Sequence, residues 1–177
     1  RDINDNDRIC AGKGMPDLTY GLTVNLAWKG FDFIIYGTGA AGVQRLFAMT
    51  RADVTTANTL KEFYVNAWQS PASTGYKHPK PTNDAKILCS TDRMFNADCF
   101  KIKQIQLGYT LPKNICQKIL LSSLRVYVSL DDWFTFTKYP GLDPETGLFG
   151  AQVNGLAVDT GSYPISRKLV FGVNLAF

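Results

Sequence analysis

The end of the chain constrains its fold more than any other part. Between Ser166 and Phe177, the residues Leu169, Phe171, Val173, Leu175 and Phe177 alternate with Lys168, Val170, Gly172, Asn174 and Ala176. A period of two sends the two sets to opposite faces of a β-strand. One face is then large and apolar, the other small or polar. That is the inverse of what a filled soluble core most simply asks for. It suits a strand with lipid outside and a wet lumen inside.

The same contrast recurs upstream. Tyr20, Leu22, Val24, Leu26 and Trp28 oppose Gly21, Thr23, Asn25 and Ala27, which predicts a strand long enough to cross a bilayer when tilted. Lys29-Gly30 makes a tight turn, and Phe31, Phe33 and Ile35 carry the apolar face into a third strand opposite Asp32 and Tyr36. A fourth strand runs through Ile105, Leu107, Tyr109 and Leu111, with Gln104, Gln106, Gly108 and Thr110 facing the other way and Pro112 ending it. Phe100 and Ile102 fall on the polar side of that register, so a bulge, or a strand that outruns the membrane, is expected before it. Leu124, Val126, Val128 and Leu130 form a fifth strand, with Arg125, Tyr127 and Ser129 inward. An inward arginine requires water or a partner.

The connections alternate in length. Lys29-Gly30 and the stretch after Pro112 are short, whereas Gly39 to Asp98 and Asp131 to Ser166 are long. Outer-membrane barrels pair short periplasmic turns with long extracellular loops, so Phe177 is expected at the periplasmic side. Trp28 and Phe177 on one side, and Trp133, Phe134 and Phe136 on the other, look like interfacial girdles. Arginine at outward Val173 is expected to destabilise by about 2–4 kcal/mol and arginine at inward Asn174 to be mild.

Within the longest loop, Leu60, Phe63, Tyr64, Ala67 and Trp68 recur at helical spacing, opened by Thr59 and Glu62 as a capping box. This predicts a short amphipathic helix that packs rather than binds ligand. Cys10, Cys89, Cys99 and Cys116 form no CxxC pair, and His78 is the lone histidine, so neither zinc nor Cys–His catalysis is indicated. The topology separates Cys116 from the other three by the membrane thickness. Asp143 and Glu145 lie two apart in DPETG, where shaping a turn is expected over catalysis. No catalytic, metal or cofactor residue is assigned.

The chain has 177 residues and a net charge of +4, without the basic run that would track nucleic acid. It contains no unbroken apolar stretch of the ~18–20 residues that a membrane-crossing helix needs. Arg1 opens on polar sequence without an initiator methionine, which leads to the expectation that the chain is a portion of something longer.

From Pro16 onward the chain resembles the C-terminal portion of SusC/RagA-like TonB-dependent outer-membrane transporters. The likeness is carried, in order, by PDLTYGLTVNLAWKGFDF (16 to 33), FYVNAW (63 to 68), STDRMFNADCFKIKQIQLGYTLPK (90 to 113), LRVYVS (124 to 129), KYPGLDPETG (138 to 147) and VDTGSYPISRKLVFGVNLAF (158 to 177). Asp131-Asp132-Trp133 and Cys99 depart from the residues usual in the family, and DINDND (2 to 7) is a shortened form of its DxNxDG-type loop, read as an acidic solvated loop.

The resemblance implies an all-β fold in which residues 1–177 are the C-terminal part of a transmembrane barrel domain of about 22 strands. It also implies an N-terminal plug, a SusD-like surface lipoprotein and TonB as partners, outer-membrane lipid around the barrel, and import of oligosaccharides or peptides without chemical conversion. Phe171, Val173, Leu175 and Phe177 would be the barrel-assembly signal. A soluble β-sandwich or barrel that binds carbohydrate is the alternative, distinguished by solubility without detergent. Five strands leave open edges, so further strands are expected from the same polypeptide or another chain.

Overall fold

The computed structural model describes residues 5–49, 60–80, 90–118, 120–145 and 157–177. It divides into two compact units: Asp17–Ala41, Asp98–Lys138 and Pro164–Phe177 make one, and Arg1–Pro16, Gly42–Ala97 and Tyr139–Tyr163 the other.

The first unit holds the five expected strands. They are β1 (Leu18–Trp28), β2 (Phe31–Ala41), β5 (Cys99–Thr110), β6 (Ser123–Thr137) and β8 (Lys168–Ala176), hydrogen-bonded in the order β1-β2-β5-β6-β8, every pair antiparallel. Each strand therefore pairs with its predecessor in the meander, which local hairpin closure favours. Lys29 (φ 47°) and Gly30 (φ 90°) both take the left-handed conformation that a two-residue hairpin of right-twisted strands demands. No methyl group fits at Gly30, because it would stand 2.8 Å from the Thr110 carbonyl.

Several strands outrun the sequence expectation. β2 continues beyond Tyr36 to Ala41, and β6 continues beyond Leu130 to Thr137, into what was read as loop. The expected bulge is present. Tyr36 pairs with Gln104 but Gly37 pairs with Ile102, leaving Lys103 as the extra residue of β5. On the other side Gln104 pairs with Asp131 and Ile102 with Phe134, and Asp132 takes φ 57° to make room. The slip reverses the alternation of β5, so Phe100 and Ile102 join the apolar face instead of breaking it.

The stretch after Pro112 is a short helix, α2 (Lys113–Lys118), not anticipated from the sequence. Its first turn is held by the Pro112 carbonyl, which accepts from the Ile115 and Cys116 N–H groups, and Cys116 is buried beneath it.

The second unit contains a small three-stranded sheet in order β4-β3-β7, made of β3 (Gln44–Phe47), β4 (Met94–Asn96) and β7 (Val158–Asp159), with β3 and β7 parallel. These segments were read from the sequence as loop. Their strands are too short for a period-two pattern to be distinguished from chance. The helix α1 (Lys61–Val65) lies where a helix was expected, although Leu60 precedes it without a side-chain cap and Thr59 lies outside the described residues. Phe63 packs into a core of Val43, Phe47, Ala97 and Tyr139, and Ala67 is buried, whereas Leu60 and Tyr64 of the predicted stripe are exposed.

Candidate functional site

The register of the five-stranded sheet converts the alternation of single strands into two continuous surfaces. One row runs Leu26, Phe33, Leu107, Val128, Phe171; the next runs Val24, Ile35, Ile105, Leu130, Leu169; and a third runs Trp28, Phe31, Tyr109, Val126, Val173. All are apolar or aromatic and share one face. Phe171 is 76% exposed and Val173 61%. Contiguous apolar exposure of this extent is what a lipid-facing wall requires and what a water-facing one avoids.

The opposite face is mostly small or polar, interrupted by Ile34 and Val170. Its rows run Asn25, Ile34, Gln106, Ser129, Val170; Thr23, Tyr36, Gln104, Asp131, Lys168; and Ala27, Asp32, Gly108, Tyr127, Gly172. Arg125 finds its partner here: its Nε donates to Asp32 Oδ1 at 2.9 Å, its Nη2 donates to Asp32 Oδ2, and its guanidinium lies 5.0 Å from the Tyr127 ring. The pair bridges β2 and β6 across β5, which is possible only because Gly108 lies between them. A methyl group there would stand 2.6 Å from Arg125 Nη2 and closer still to Asp32 Oδ1. Higher on the same face Ser129 donates to Asp131 Oδ1 and accepts from Gln104 Nε2 at 3.4 Å. Lys103, displaced by the bulge, pairs with Asp132 at 3.5 Å. These side chains form a hydrogen-bonding surface of amides, hydroxyls and charges, suited to water or a polar solute.

Aromatic residues mark both ends of the wall. At the end where β1 turns into β2, Phe31 and Tyr109 lie 4.5 Å apart beside exposed Trp28. At the other end the Tyr20 ring covers Gly39 and stacks toward Phe100 at 6.0 Å, which in turn stacks toward Phe136 at 6.4 Å. Phe134 and Phe136 lie in the band as expected. Trp133 instead donates its indole N–H to the Lys168 carbonyl at 2.8 Å, fastening the start of β8. Tyr20 and Phe100 were missed as band members, Phe100 because the bulge reverses its side.

In the second unit the side chains that carry chemistry serve packing. Phe63 lies 5.6 Å from Phe47, the Arg93 guanidinium sits 3.6 Å above its ring, and His78 packs on it at 4.7 Å. His78 Nδ1 is hydrogen-bonded to Asp92 at 2.8 Å, and burial lowers the Arg93 pKa against the opposing charge of Asp92. Tyr139 donates its hydroxyl to Asp159 Oδ2 at 2.6 Å; burial, then that bond, raises its pKa well above the usual phenol. Asp143 accepts the Glu145 N–H at 2.9 Å, a turn closed by a carboxylate, so this pair shapes the loop as expected. Cys10 and Cys116 are free thiols; Cys99 starts β5 and Cys116 lies beyond its far end, and Cys89 lies outside the described residues.

No protein-family model matches the chain. Among curated proteins it is 31% identical, over 99% of its length, to the TonB-dependent receptor P3 of Formosa agariphila, and 24% identical, also over 99%, to the TonB-dependent receptor SusC of Bacteroides thetaiotaomicron. It spans only 18% and 16% of those two proteins. Among solved structures, a structure of the RagAB peptide transporter matches 94% of the chain with a TM-score of 0.74 and 26% identity, and the RagAB peptide importer in its closed-closed state matches 96% with a TM-score of 0.71 and 25% identity. The chain covers 18% of each matched RagAB chain.

Proposed function

This chain is a SusC/RagA-like stretch of TonB-dependent receptor sequence, and from that premise we propose that it forms one wall of an outer-membrane barrel that imports oligosaccharides or peptides. The observation that carries the reading is the division of one sheet into a continuous apolar face and a predominantly polar face. The first faces lipid and the second lines the path of a polar solute. Proteins of this kind are receptors and transporters rather than enzymes, and the hydrogen-bonded polar face binds without bond-making chemistry.

The open backbone edges of β1 and β8 require neighbours, because unpaired amide groups in hydrocarbon cost several kcal/mol each. Further barrel strands and a plug supply them and fill the lumen in this reading. Import then draws on TonB for energy and on a SusD-like lipoprotein at the outer surface. The barrel lies in the outer membrane of a Gram-negative bacterium with the Lys29-Gly30 turn, α2 and Phe177 at the periplasmic end. The long connections, which all leave and re-enter the sheet at the other end, are extracellular. A soluble carbohydrate-binding sandwich would have to bury the face bearing Phe171 and Val173, which is open.

Fractionation of cells producing the intact polypeptide tests the reading. It should enter the outer-membrane fraction and require detergent for release; recovery in the aqueous fraction would overturn it. Uptake of labelled oligosaccharides and peptides by the same cells then separates the two substrate classes. Phe171, Val173, Leu175 and Phe177 serve as the signal for membrane insertion in this reading, so deletion of Phe177 should lower outer-membrane levels. Unchanged levels would remove that role.

A further inference from the structure

The two ends of the large sheet differ in charge. Around the end that carries β5 into α2 and β1 into β2, the charged residues are Lys29, Asp32, Lys113, Lys118 and Arg125. Asp32 and Arg125 neutralise each other through their two hydrogen bonds. Lys29, Lys113 and Lys118 remain, all exposed, and none pairs with a carboxylate among the described residues. At the opposite end carboxylates and cations intermingle: Asp17, Asp98, Asp131 and Asp132 stand with Lys103, Lys138, Arg167 and Lys168, and Lys103 is bound to Asp132. One end is therefore a cationic rim and the other is mixed.

The same rim exposes large apolar side chains that no packing covers. Trp28 is 69% exposed, Leu120 89% and Phe177 91%, and Ile115 on α2 faces out as well. Leu120 is the more telling because it also holds a left-handed backbone (φ 60°), which a branched leucine adopts at a cost. That conformation lets the Leu121 N–H donate to the Cys116 carbonyl and close the end of α2 while the leucine points away from the protein. Lys29 Nζ lies 4.9 Å from the Trp28 ring, so charge and apolar surface are interleaved residue by residue. Water is a poor partner for this combination. The headgroup layer of a membrane suits it, with phosphate for the ammonium groups and acyl carbon for the leucine and the rings.

We propose that Lys29, Lys113 and Lys118, with Trp28, Leu120 and Phe177, form a docking collar for anionic phospholipid headgroups at the turn end of the wall. The proposal rests on the membrane reading above and goes beyond it in naming the lipid class and the residues. Charge complementarity carries it: three cations without carboxylate partners, at the edge of an apolar face, meet phosphates at the edge of an apolar layer. α2 positions two of them, since buried Cys116 anchors the helix and leaves Lys113 and Lys118 on its exposed surface. An acidic protein partner would use the lysines, but it gives no role to the flanking apolar residues that continue the lipid-facing wall.

The experiment uses the intact transporter in bilayers of phosphatidylcholine doped with spin-labelled phosphatidylglycerol or spin-labelled phosphatidylcholine, reading the motionally restricted fraction of each. Wild type should hold more phosphatidylglycerol than phosphatidylcholine, and the preference should shrink as salt is raised. The Lys29→Gln, Lys113→Gln, Lys118→Gln variant should lose at least about 5-fold of that preference, the contribution of a single lysine near a surface. The triple lysine-to-arginine variant should retain it. An unaltered preference in the glutamine variant, or one indifferent to salt in wild type, overturns the proposal, and the wild-type salt series decides even if the glutamine variant does not assemble. Absence of restricted lipid of either kind would instead overturn the membrane reading.

Discussion

Placing arginine at Val173 tests the lipid-facing register at its most sensitive point. Among the outward residues Leu169, Phe171, Val173, Leu175 and Phe177, it is the middle one. Its cross-strand neighbour is Val126, and Phe171 and Leu175 flank it on the same face, so a guanidinium there meets no counter-charge. Outward positions follow one another at about 7 Å along the strand, or about 5 Å in depth at a 45° tilt, so each step toward an end brings the charge markedly closer to water. Val173→Arg should then cost about 2–4 kcal/mol, with Leu175→Arg costing less and Phe177→Arg about 0–1 kcal/mol. Guanidinium unfolding of the intact polypeptide in lipid vesicles measures the gradient. The control first suggested by the sequence, Asn174→Arg, is unsuitable because Asn174 stands directly opposite Arg125 and the variant would oppose like charges. Asn25→Arg, exposed on the polar face of β1, replaces it and should stay within about 1 kcal/mol. Equal losses at Val173 and Asn25, or a flat series from Val173 to Phe177, would refute the assignment of the faces.

Gly172→Ala should destabilise the wall by about 1–3 kcal/mol, because the added methyl group collides with the Tyr127 ring. Adding Tyr127→Ala should recover most of that loss, and strictly additive losses in the same unfolding assay would show that the ring does not lie over Gly172. Phe63→Ala should cost about 3–5 kcal/mol through loss of its contacts with Phe47 and Phe95, read as faster proteolysis within residues 60–80; an unchanged cleavage rate would count against that core. Tyr139 has its pKa raised from 10.0, so the stability it confers is complete below that value and declines as pH rises above it, the folded state resisting ionisation. Amide exchange around Asp159 should therefore accelerate more steeply with alkali in wild type than in Tyr139→Phe, and identical pH profiles would argue against the buried bond.

The wall itself was legible residue by residue. Period-two alternation encodes which face of a strand is apolar, and Lys29-Gly30 and Pro112 encode where strands turn or stop, because these are properties of the local backbone. Family membership of the segment was equally readable from the order of its short strand-and-turn signatures. The two-faced character of the wall was legible in the same way, since alternation along each strand marks one face as large and apolar and the other as small or polar.

Other features depended on partners distant in sequence. Whether Arg125 met water or an acid could not be read from its own strand, because Asp32 lies two strands away and reaches it only over Gly108. The length of β6 depended on Asp132 adopting a left-handed turn opposite the Lys103 bulge, which only strand pairing selects. The small sheet of β3, β4 and β7 joins pieces from three remote segments, each too short to announce itself. Local pattern decides the face a residue takes, whereas its neighbour is decided by register, and register is a property of the paired strands rather than of either one.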